Sequence, residues 1–175
     1  MIQPATFRFV LHARGFRVAR GTGVGEYRLA NVFAGLETSS SLLKVFGTKA
    51  EMSKILRHLK LRVEDTSWGL WLDKNTGTIC IGYKHLSTAK TDFLYLDVIH
   101  VLVHVHQFLE GRELYDQAFE YVERPTELEA YRCTVAEARK IGMKEGEILR
   151  YLRLDAVDDS ELGKLIEKIG VKTRR

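Results

Sequence analysis

Apolar residues fall on almost every side of the stretch "TDFLYLDVIHVLVHVHQFLE", and a helix with that pattern has no face to give to solvent. The pattern predicts a buried helix over about 91–110, with Thr91 or Asp92 capping its start and Gly111 ending it. A second long helix is predicted at 126–142, "TELEAYRCTVAEARKIG". Thr126 is its expected cap, with Glu129 completing a capping box and Gly142 closing it. From Thr48, Met52, Ile55, Leu56 and Leu59 recur at helical spacing and predict an amphipathic helix. Two shorter helices, about 144–152 and 158–169, end the pattern before Gly170.

Strands are expected at 67–73, "SWGLWLD", and 78–86, "TICIGYKHL", joined by the hairpin turn "KNTG". Residues 1–47 are the least regular. "FRFVLHARGFRVARGTGVGEYRL" alternates loosely like strands, and Gly21, Gly23 and Gly25 suggest a turn. These glycines do not make a dinucleotide-binding fingerprint. "GLETSSSLL" reads as a linker in which Ser39–Ser41 can cap a helix. The expected organisation is therefore a basic amino-terminal extension, 1–47, of uncertain fold, followed by an α+β domain over 48–175.

Composition narrows the class. A hydrophobic content of 45% with 29% charged residues is that of a globular chain. The longest apolar run, Phe93 to Leu109, is broken by Asp97, three histidines and Gln107, so no membrane span is expected. The amino terminus shows no signal-peptide pattern, and Cys80 and Cys133 make no disulfide framework; both point to a reducing cytoplasm. Of 27 Lys/Arg, seven lie in the first fifty residues against only Glu26 and Glu37. That leading charge can attract nucleic acid or an acidic protein partner, or belong to a solvated extension.

His100 and His104 stand four apart on the central helix, one turn from each other on one face. That spacing lets both imidazoles reach a shared zinc at about 2 Å, while His106 points to roughly the opposite side. A third ligand must come from another element, and Glu127 and Glu129, at the head of the next long helix, are the candidates. Two hydrogen-bonded core histidines are the competing reading. His58 reads as a surface residue, and His12 and His85 have no partner visible in sequence. Trp68 and Trp71 read as sheet and core residues, Tyr115, Tyr121 and Tyr131 as buried packing, and Cys80 as an inert buried thiol.

The run "IHVLVHVHQFLEG … YVERPTELEAYRCTVAEA" resembles the metal-binding half of a gluzincin metallopeptidase, with ImmA/IrrE-type zinc peptidases a near comparison. Such enzymes carry HExxH on one helix and a glutamate, often within ExxA, on the next. The resemblance spans about residues 67–142. It implies a zincin-like fold: a small antiparallel sheet packed on a buried metal-binding helix and a second long helix, with further helices at the carboxyl end. It also implies zinc on His100, His104 and Glu127, the last from "ELEA", with Glu129 as a cap or a support behind the ligands. Asp97 would hold an imidazole in its ligating tautomer. The strand "TICIGYKHL" would be the edge strand that lies beside the cleft and pairs with an extended peptide.

One residue departs from that pattern. In gluzincins the glutamate after the first histidine takes a proton from the attacking water and passes it to the leaving amine. Here that position is Val101, which has no lone pair to offer. The expectation is a zinc-binding, peptidase-like protein in which hydrolysis is lost or strongly reduced. The alternative is a non-catalytic binding module that uses its basic amino-terminal segment.

Overall fold

Strands and helices alternate irregularly along the first half of the chain, and helices fill the second. A computed structural model describes residues 10–11, 15–153 and 158–172. His12, Arg8 and Arg14 therefore lie outside the described residues. In order come β1 (Val10–Leu11), β2 (Arg17–Val18), β3 (Gly25–Arg28), α1 (Leu29–Val32), β4 (Phe33–Ala34), α2 (Ser40–Phe46) and α3 (Lys49–His58). They are followed by β5 (Lys60–Glu64), β6 (Leu70–Asp73), β7 (Thr78–Gly82), α4 (Tyr83–Thr88), α5 (Thr91–Leu109), α6 (Pro125–Lys140), α7 (Glu145–Leu152) and α8 (Asp159–Ile169). The class is α+β. β1, β2 and β4 make a small antiparallel sheet, and a second, mixed sheet runs β3-β5-β7-β6.

The mixed sheet departs from the expectation of a purely antiparallel one. β5 and β7 pair in parallel, because the chain passes beyond β7's place to lay down β6 and then returns through the hairpin. Among the described residues β3 and β6 are thus the edge strands, and β7, which the resemblance put at the edge, is internal. The second strand is also shorter than its pattern suggested. It stops at Gly82, and Tyr83–Thr88 turn into α4. The cause is a crossing segment: the Gly82 N–H donates to the Trp68 carbonyl at 3.1 Å, and a Cβ on Gly82 would stand 2.5 Å from that oxygen. The turn between β6 and β7 closes on the Asp73 carbonyl and carries Gly77 at φ +64°, pressed against the Phe108 ring of α5.

α5 is the buried helix that its pattern demands. Ten of its residues are buried, from Leu94 to Gln107, and it packs against α6, α2 and β6. Each of its large aliphatic side chains contributes roughly 1.5–3 kcal/mol by leaving water. Its cap differs from the expected one. Lys90 occupies the cap position with no side-chain bond, and the Thr91 hydroxyl instead accepts from Arg20 at 2.9 Å. Arg20 also donates to the Leu86 carbonyl, so one guanidinium ties the α4–α5 junction to the amino-terminal region, and burial lowers its pKa.

Residues 35–43, read as a linker, form a 3-10 turn at Leu36–Thr38 and the start of α2, which Ser39 caps by accepting from Leu42 N–H. Phe16, Val18, Leu29, Phe33, Leu42 and Phe46 belong to the same hydrophobic core as α5, and β3 pairs with β5. At the other end of the chain, α6 opens with Pro125 at its first turn and no capping box. The Thr126 hydroxyl donates to the Leu114 carbonyl, and Glu129 is engaged elsewhere.

Candidate metal centre

Three side chains meet where α5 crosses the start of α6. His100 and His104 project from one face of α5, and Glu127 comes from the first turn of α6, where the helix dipole favours an acid. His100 Nε2 and His104 Nε2 are 3.0 Å apart. Glu127 Oε2 lies 3.2 Å from the first and 3.4 Å from the second. Ligand atoms held about 2.0–2.2 Å from one tetrahedral ion stand roughly 3.3 Å from each other. The three observed separations bracket that value, so the residues present fit a metal ion.

The charge also suits a cation. Glu127 is only 4% exposed. Burial pushes its carboxyl pKa up, but hydrogen bonds and positive charge from His100 and His104 more than offset this and hold it well below the ordinary carboxylate range. A buried anion faced by two imidazole nitrogens requires a positive charge among them, a proton or a metal.

A chain of hydrogen bonds behind His104 sets its tautomer. His104 Nδ1 donates to Gln107 Oε1 at 2.8 Å, so Nε2 is the nitrogen left to hold either a metal or the proton shared with Glu127. Gln107 is fully buried and donates in turn to the Thr126 carbonyl and to Glu129 Oε2, each at 3.0 Å. Arg112 completes the chain by binding Glu129. Burial raises the pKa of Glu129, yet the bonds from Arg112 and Gln107 bring it below the usual value. Glu129 therefore acts from behind the ligands and makes no cap. Behind His100 stands the Tyr131 ring, its centroid 4.5 Å away, with its hydroxyl bonded to that of Tyr121.

Sequence reasoning missed Gln107. The available signal was a lone amide three residues after His104 in an apolar helix. It also misassigned Asp97, which does not hold a cluster imidazole but pairs with His85, Oδ2 to Nε2, at 2.8 Å. His106 points away, as expected, and meets Glu110 at 3.5 Å and the edge of Phe46.

The cluster lies in a cavity of about 560 Å³, large enough for a small ligand or a few peptide side chains. Leu70, Trp71 and Leu72 of β6 form one wall, and Val101 lines the cavity beside His100. Tyr115, half-buried at the rim, donates its hydroxyl to the Leu72 carbonyl. Trp68 is not a core residue. It is 70% exposed and sits edge-on to Trp71, which lines the cavity. Burial raises the pKa of the Cys80 thiol and pushes Cys133 up to about 12, so both stay protonated and unreactive.

No helix among the described residues is long and apolar enough to cross a membrane. No family model, curated protein or solved structure matches the chain.

Proposed function

We propose that the chain is a zincin-type metal protein whose cleft binds a peptide or related carbonyl ligand, and that its metal is zinc. The observation that carries this is the convergence of His100 Nε2, His104 Nε2 and Glu127 Oε2 within 3.0–3.4 Å of one another at the floor of the cavity. Two imidazoles and one carboxylate are the donor set of a catalytic zinc, with a coordination place left for a ligand. Magnesium and calcium favour six or more oxygens, and this set offers too few. A zinc ion held there would supply Lewis acidity toward a carbonyl and toward water.

The protein's own residues define what else the cleft can do. Among the described residues β6 lies at an edge of the mixed sheet on the cavity wall, with the Leu72 carbonyl taken by Tyr115, and an extended peptide can add beside it as a further strand. Val101 cannot accept a proton, so the route through a base at that position is closed, at a cost of about 10²–10⁴-fold in rate. Hydrolysis in this cleft must use another proton acceptor or be absent.

The test is the metal content of the purified protein by plasma mass spectrometry, beside His100→Ala and Glu127→Ala. About one zinc per chain, lost in both variants, is expected. A wild-type protein that binds no metal after zinc is supplied, with both variants folded, would return His100 and His104 to the status of packed core residues.

A further inference from the structure

His85 and Asp97 stand apart from the three converging donors, yet both line the same cavity. Asp97 lies one helical turn before Val101 on α5, so its carboxylate shares the stripe that faces the cleft. His85 comes from α4, the short helix that takes the place of the last residues of the expected strand. The pair is wetter than Glu127: the His85 and Asp97 side chains are 26% and 18% exposed.

A carboxylate that accepts from Nε2–H fixes the imidazole in the tautomer whose Nδ1 carries a bare lone pair. Among the described residues, the hydrogen bond of the His85 ring is the one from Nε2, and none reaches Nδ1. Other contacts also dock α4: Leu86 is fully buried, and Arg20 bridges the Leu86 carbonyl to Thr91. What remains is an oriented imidazole on the wall of a cleft whose usual base is a valine.

We infer that His85 is the proton-accepting catalytic residue of this cleft, that Asp97 is its positioning residue, and that the substrate is a peptide or amide carbonyl. The inference rests on the zinc-cleft reading above. In the step, water gives a proton to His85 Nδ1 as its oxygen bonds to the carbonyl carbon, and the carbonyl π pair moves onto oxygen. The imidazolium then returns that proton to the amide nitrogen as the C–N bond breaks. Water and amide are consumed, acid and amine are released, and nothing is oxidised or reduced.

The experiment uses the zinc-loaded full chain with a pool of end-blocked fluorogenic peptides, and compares wild type with His85→Gln, His85→Gly and Asp97→Asn. Wild type should cleave members of the pool, and His85→Gln should lower kcat by about 10²-fold or more with zinc content and Tm unchanged. Asp97→Asn should lower it less, and free imidazole should restore part of the His85→Gly rate, which a purely structural histidine would not allow. Independently of activity, the nitrogen shifts of the labelled imidazole should show His85 protonated at Nε2 and bare at Nδ1. Zinc bound with no cleavage, cleavage indifferent to His85, or a proton resident on Nδ1 would each overturn this inference and leave the zinc site standing. A wild type that takes up no zinc would instead overturn the reading beneath it.

Discussion

A glutamate at position 101 would set a carboxylate into the cavity beside His100, where valine now presents two methyl groups. Introduced into the His85→Gln background, Val101→Glu should therefore restore cleavage of blocked peptides by about 10²-fold or more, read as turnover of the zinc-loaded protein. An unchanged rate, with zinc bound and the fold intact, would count against a peptide cleft. Gln107 works at the same scale and in the opposite sense. Gln107→Leu keeps the bulk but removes the acceptor for His104 Nδ1 and the donor to Glu129. Zinc affinity should fall about 10–100-fold, measured by competition with a chromogenic chelator. His100, His104 and Glu127 were legible because helical spacing and a first-turn acid are local signals. Asp97 and His85 were not, since each owes its role to a partner on another element; Gln107 meets His104 on its own helix, but the bonds that hold it there come from α6. Glu129 misled for a related reason: its carboxylate is worth more to Arg112 and Gln107 than to a backbone N–H.

Helices α5 and α6 and the hairpin turn follow from periodicity and turn chemistry, which act within a few residues. The end of β7 does not, because a backbone crossing from residues 66–68 decides it. Gly82 has an ordinary φ of −71°, so no conformational demand marks it; only the nearby carbonyls forbid a side chain. Gly82→Ala should destabilise the protein by about 1–3 kcal/mol, seen as a lower Tm, since the obstructing atoms belong to backbone and cannot rotate away. It should also reduce the peptide cleavage proposed for the zinc-loaded protein, because the same strand end sets the start of α4 and hence the place of His85. An alanine variant with wild-type Tm would mean that the 66–68 crossing is softer than its contacts suggest.

A metal held by His100, His104 and Glu127 would join α5 to α6, so zinc should stabilise the whole fold. At a zinc concentration 1,000 times Kd the gain is about 4 kcal/mol, and chelation should lower Tm accordingly. The effect should fade as pH drops, because imidazoles must lose their protons to bind zinc, and those protons compete more strongly at lower pH. Calorimetric scans with and without chelator, repeated at falling pH, should show the two curves converging. A Tm indifferent to chelator at neutral pH would sink the site.

By pairing with β5, β3 makes the amino-terminal region a guard. It covers a strand that would otherwise present an open row of backbone donors and acceptors flanked by the buried Leu61 and Val63. Starting the chain at residue 29 would bare that row and also remove Phe16, Val18 and the Arg20 tie. Such a shortened protein should not behave as a smaller, more convenient version of the same molecule. It should stick to copies of itself, and light scattering should show particle size growing with concentration where the full chain's stays constant.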